Sequence, residues 1–142
     1  NKFLNPIMEY LRKKYICPNQ VKKGKVGLKE LLDKCNNNYS VALMIDQRVS
    51  EGIKIDLFNE LAFTTTIPAQ LALRYKCKIV PIYIERLNGS NFEISINNPI
   101  KFYDLENNKK NIEMITIKLN KILEKMINKN PGQWIWSHNK WK

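Results

Sequence analysis

The 142 residues carry 24 Lys and Arg against 13 Asp and Glu, a net charge of +11, in a chain long enough to bury one sizeable core. Three cysteines, Cys17, Cys35 and Cys77, are odd in number and lack CxxC spacing, which excludes a disulfide scaffold and fits small buried apolar residues in a reduced cytosolic protein. No apolar run reaches the 18 or more residues of a membrane span. Lys, Asn and Ile are abundant, part of which is what AT-rich codons produce. The remaining basic excess favours an acidic partner: nucleic acid, an anionic membrane or an acidic protein.

The chain opens on Asn1-Lys2-Phe3-Leu4, without an initiator Met and already inside an apolar-periodic segment, so it reads as a piece of a longer protein. Residues 6–12 predict a helix, with Asn5 as its cap, Pro6 in its first turn and Phe3, Ile7, Tyr10, Leu11 and Lys14 on one face. Cys17-Pro18-Asn19 ends it. Lys22-Lys23-Gly24-Lys25 is a basic loop, either a solvated turn or an anion contact. A short amphipathic helix over 27–35 stops at Asn36-Asn37-Asn38.

Residues 41–45 are a continuous apolar run and predict a buried strand, and 53–58 predict a second. A helix over 67–74 tolerates Pro68 in its first turn. Residues 79–84 predict a third buried strand. Asn88-Gly89-Ser90-Asn91 predicts a hairpin-like turn and 92–96 a half-exposed strand. The longest predicted helix spans 112–129, with Ile115, Leu119, Ile122, Leu123 and Met126 on one face and Pro131 beyond its end. A Trp-rich tail follows. There are no repeats and no linker. The expected architecture is one α/β unit over 1–142, with a mixed, mainly parallel sheet flanked by helices.

Polar residues cluster where the predicted strands end, the place where open α/β folds build sites. Asp46 and Gln47 close the first strand. A carboxylate there needs a partner: a backbone amide of the following loop, or an Arg. It is either a loop-fixing group or a site residue. Arg48 reaches outward to solvent or to an anionic ligand. Thr64-Thr65-Thr66 precedes a helix, where a hydroxyl caps and free amides hold a phosphate or carboxylate. Arg74 suits the dipole at a helix end. Glu85 and Arg86 follow the third strand. His138, the one histidine, has no acidic residue after it and suits a tail role better than a general base. Trp134, Trp136 and Trp141 either pack over the core or anchor at a membrane interface. No Walker loop, GxGxxG, HExxH, GxSxG, metal-ligand cluster or RRM-like aromatic signature is present. No cofactor is expected.

The succession Leu43-Met44-Ile45-Asp46-Gln47, Gly52 to Phe58, Ala62-Phe63-Thr64-Thr65, Pro68-Ala69, Leu71-Ala72-Leu73-Arg74 and Ile79-Val80-Pro81, closed by the tail from Pro131 to Lys142, resembles the lipid A biosynthesis acyltransferases. These are the lauroyl/myristoyl transferases of the lysophospholipid acyltransferase superfamily. Each piece is weak alone; their order and spacing are specific, and they run over nearly the whole chain. The resemblance implies acyl transfer from acyl carrier protein to a hydroxyl of a lipid A precursor at the cytoplasmic face of the bacterial inner membrane. It implies a catalytic His-x-x-x-x-Asp/Glu motif, in which His is the general base and the carboxylate orients it. That motif is not in this sequence and is expected upstream of Asn1, so the chain alone is expected to be inactive. By resemblance the substrate-binding residues are Asp46, Gln47, Arg48, Phe58, Thr64, Thr65 and Arg86. Pro81 matches the Val-Pro strand block. Asn59 stands where the family usually has Gly, though Asn tolerates positive φ. The expected partners are acyl carrier protein, the lipid A precursor and the membrane surface, with no nucleic acid. Two other readings are an acyltransferase for a glycerol-based lysophospholipid acceptor and a basic nucleic-acid-binding module.

Overall fold

A computed structural model describes residues 3–21, 24–49 and 52–142. Contacts divide it into two compact units, Asn1–Ala42 and Leu43–Lys142. Lys22 and Lys23 of the basic loop lie outside the described residues.

The first unit holds α1 (Leu4–Tyr15) and α2 (Lys25–Asn36). Pro6 sits in the first turn of α1, and Arg12, Lys13 and Lys14 fill its last turn, where cations oppose the negative end of the dipole. The N-cap is Phe3 with no side-chain cap bond, so Asn5 lies inside the helix rather than capping it. No residue of α1 is buried; Phe3, Ile7, Tyr10 and Leu11 are all exposed. Gly24, at φ 94°, is the N-cap of α2. Asn38 at φ 61° ends that helix as expected, and Asn37 turns its amide back to the Asp33 carbonyl.

The second unit carries the core. It runs β1 (Ile53–Leu57), β2 (Glu60–Thr64), α3 (Ile67–Tyr75), β3 (Ile82–Arg86), β4 (Phe92–Ile96) and α4 (Lys109–Lys129), then two 3-10 turns at Pro131–Gln133 and Trp136–His138. β1 and β2 pair antiparallel from Ile53↔Thr64 to Leu57↔Glu60, and β3 and β4 from Ile82↔Ile96 to Arg86↔Phe92. Asn108 caps α4 through its side-chain oxygen, which accepts the Asn111 N–H at 2.9 Å. One stripe of α4 builds both core clusters. Ile115 and Leu119 pack with Ala69, Ala72, Leu73 and Phe102, while Leu123 and Ile127 pack with Leu57 and Ala62. Truncating such a buried Ile or Leu to Ala costs roughly 2–5 kcal/mol.

The expected mainly parallel sheet is not what forms. Two separate two-stranded antiparallel sheets take its place. Residues 41–45 are not in a strand at all; Met44 is exposed and Ile45 half-buried. The run over 79–84 is divided: Ile79 makes one antiparallel bridge to Ile100, Pro81 has no N–H to give a ladder, and β3 begins at Ile82. A continuous apolar run reads as a strand covered on both faces. Here Ile82 and Ile84, with Ile94 and Ile96 opposite, form an exposed face of a hairpin. The cysteines also differ from expectation, with Cys17 and Cys35 half-buried and Cys77 exposed.

Candidate functional site

The β1–β2 connection has only two residues, Phe58 and Asn59, at φ 59° and 63°. Two left-handed residues in a row match the twist of the flanking strands. Asn59 accepts that conformation readily. Phe58 does so at a cost of roughly 1–2 kcal/mol, offset by its surroundings. Its N–H donates to Glu124 Oε1 at 2.7 Å, and its ring lies 6.4 Å from that of Trp134 and 6.1 Å from that of Trp136. Lys121 joins the same corner, 2.6 Å from Asp56 and 3.3 Å from Glu124. Those hydrogen bonds, to Asp56 and then Glu124, raise the Lys121 pKa.

The tail beyond Pro131 folds back over this hairpin. Trp134 meets Trp136 edge-on at 4.6 Å and Trp141 at 5.9 Å, while Trp136 and Trp141 stack at 6.3 Å. The indoles are therefore packed on one another and on Phe58. Two also find acceptors: Trp141 Nε1 donates to the Leu57 carbonyl and Trp136 Nε1 to that of Pro131.

In the same tail Lys140 is only 1% exposed. Its ammonium donates to the Ile45 carbonyl at 2.7 Å, and its own carbonyl accepts the Phe63 N–H at 3.0 Å. Burial lowers its pKa to about 8, with the Asp46 charge pulling the other way. Three contacts from Lys140 and Trp141 thus reach residues 45, 57 and 63, each next to a residue singled out by sequence: Asp46, Phe58 and Thr64. Asp46 acts on this lysine through its charge and is in no ion pair with an Arg among the described residues.

The remaining candidates separate. Thr64 is buried and takes a hydrogen bond from Asn120 Nδ2 at 3.1 Å, while the same amide donates to the Asp56 carbonyl. It ties the hairpin to α4. Thr65 Oγ1 accepts the Ile67 N–H at 3.3 Å at the start of α3. Gln47 donates to the Met44 sulfur, and Arg48 is exposed. Arg86 lies across the Phe92 ring at 4.9 Å, and its backbone is held on both sides by the Gln133 amide. It borders an open recess of about 530 Å³ with Leu87 and Asn88. Neither Arg48 nor Arg86 is in an ion pair among the described residues.

Lys140, Glu124, Asn120 and Gln133 were not singled out by sequence. They are polar residues in a Trp-rich tail or on the longest helix, and nothing in their spacing marks them. Among the described residues no group of three His, Cys, Asp or Glu could hold a metal. His138 is exposed in the last 3-10 turn, with no hydrogen bond or ion pair from its imidazole to a carboxylate among the described residues. At the β1–β2 hairpin the carboxylates Asp56 and Glu124 are paired with Lys121, and no His–carboxylate ion pair is found among the described residues.

The family model for bacterial lipid A biosynthesis acyltransferase matches residues 8–142. No curated protein matches the chain.

Proposed function

Since the chain belongs to the bacterial lipid A biosynthesis acyltransferase family, we propose that it forms the substrate-binding part of an enzyme that moves a fatty acyl chain from acyl carrier protein to a hydroxyl of a lipid A precursor. In that reaction the hydroxyl oxygen attacks the thioester carbonyl, a general base takes its proton, and the carrier's thiolate leaves as the ester forms. The base is supplied by polypeptide outside these 142 residues, as a His with a carboxylate five positions on. The observation that carries the reading, beside the family, is the convergence of the tail on residues 45, 57 and 63. It ties the residues that precede Asp46 and Phe58 to the same two positions of the tail, Lys140 and Trp141.

The acceptor's phosphates and the acidic carrier protein fit the net charge of +11. Among the described residues both ion pairs use Lys121, which leaves the other described cations outside ion pairs. The enzyme works at the cytoplasmic face of the inner membrane. No helix among the described residues is long and apolar enough to cross a bilayer. Asp46, Gln47 and Arg48 bind the acceptor, with Phe58 at the tip of the β1–β2 hairpin and Thr64 bracing that hairpin.

The test is an acceptor comparison with the polypeptide that includes the residues upstream of Asn1. Acyl transfer to a lipid A precursor, with a glycerol-based lysophospholipid at least tenfold slower, is the expected result. The reverse preference would replace the acceptor, and no transfer to either would refute the reading.

A further inference from the structure

An ammonium buried as deeply as that of Lys140 is costly unless something in the fold needs it. A Met would fill the same space without that cost. No carboxylate lies within ion-pair distance of it among the described residues. Among the described residues its ammonium donates to the carbonyl of Ile45, the residue before Asp46. Ile45 itself is packed against the core cluster of α3 and α4. Gln47 reaches the soft acceptor of Met44 Sδ, and Gly52 passes so near β2 that a Cβ there would lie 2.5 Å from the Thr64 carbonyl.

We propose that Lys140 is a positioning residue: through the Ile45 carbonyl and the charge of Asp46 it sets the Asp46-Gln47-Arg48 turn, so that acceptor binding requires the tail in place. The acceptor half of this statement rests on the acyltransferase reading; the latch rests on geometry alone. Among the described residues Asp46 acts on Lys140 through its charge from the turn, and Phe63 of β2 donates its N–H to the Lys140 carbonyl, with Lys54 over the Phe63 ring at 5.0 Å. From the tail itself come Trp141 and, two residues earlier, the exposed His138.

Deprotonation separates local from global effects. A neutral amine still donates to Ile45 but no longer attracts Asp46, so the turn loosens. The fold as a whole is relieved of a buried charge and does not weaken. A lysine with a merely structural role would move both in the same direction.

Backbone 15N relaxation on the 142-residue chain reads the turn directly. At pH 7 the wild type is expected to show order parameters near 0.85 at Gln47 and Arg48, and Lys140→Met values below about 0.6, with an unfolding temperature no lower than wild type. The wild type should lose order in the same way between pH 7 and 9.5. Lys140→Arg, charged throughout, should not. Unchanged order in Lys140→Met, or a loss spread over the chain with a lower unfolding temperature, overturns the latch. If the Arg variant does not fold, the wild-type pH series and the Met variant decide. In the acyl-transferring polypeptide, Lys140→Met should raise KM for the lipid A precursor about tenfold with kcat within twofold. An unchanged KM with a loosened turn overturns the acceptor role and leaves the acyltransferase reading intact. Absence of transfer by the wild type overturns that reading and the acceptor role with it, while the relaxation data still decide the latch.

Discussion

The backbone N–H of Phe58 donates to the Glu124 carboxylate at 2.7 Å, across 66 residues of chain. This bond joins the tip of the β1–β2 hairpin to α4 and holds a bulky residue in the left-handed region. Removing the carboxylate leaves a part-buried N–H without an acceptor, which costs roughly 1–3 kcal/mol. Glu124→Ala is therefore expected to lower the unfolding free energy by about that amount in a urea titration, and Glu124→Gln by less, because its amide oxygen still accepts. Equal losses for the two would show that the bond contributes little.

Asn120 is fully buried between Thr64 and the Asp56 carbonyl. Asn120→Ala strips the donor from both strands of the hairpin at once and opens a cavity. The expected loss is on the order of 2–4 kcal/mol. Thr64→Val keeps the volume and leaves Asn120 its bond to Asp56, so it should cost less. Circular dichroism melts of the two variants give the ranking, and the reverse order would contradict the network.

The two faces of the apolar residues should respond differently. Ile115 is fully buried, and Ile115→Ala is expected to cost roughly 2–5 kcal/mol. Ile84 stands on the open face of the β3–β4 hairpin, and Ile84→Thr should change the stability of this chain by no more than about 0.5 kcal/mol. A large loss at Ile84 would mean that its face is covered in solution.

Stability should rise with pH at the alkaline end. The Lys140 pKa falls from 10.5 to about 8 on folding. Between those values the unfolded chain binds more protons than the folded one, so the unfolding free energy increases with pH. Below pH 8 both states carry the charge and the cost of burying it is constant. Above 10.5 both are neutral and the cost is gone. The full gain is on the order of 3 kcal/mol. It should vanish in Lys140→Met. A wild-type profile that is flat or falling from pH 8 to 10, relative to that variant, would contradict the burial of a charged Lys140.

Residues with strong local signals were legible in the sequence. Phe92–Ile96 is a strand with the bounds its alternation gives, and the stripe Ile115, Leu119, Leu123 of α4 is the core side of the longest helix. Pro68 marks the first turn of α3 and Asn36 to Asn38 the end of α2. The sheet was not legible, because the length and apolarity of 41–45 and 79–84 say nothing of what lies beside them. The same run serves a strand covered on both faces and a hairpin open on one. At the site, Thr65 does what a hydroxyl before a helix does, and Asn59 takes the positive φ where Gly was expected. Lys140 could not be found because burial of one lysine among many basic residues depends on how the tail folds back, a contact over 95 residues of sequence.

The most direct test is a single assay of labelled acyl transfer from acyl carrier protein to a lipid A precursor, run on the polypeptide that includes the upstream residues, on its Asp46→Ala variant and on the 142-residue chain alone. Turnover is expected of the first, a loss of at least tenfold in kcat/KM in the second and none above background in the third. Turnover by the isolated chain, or wild-type kcat/KM in the Asp46 variant, would contradict it.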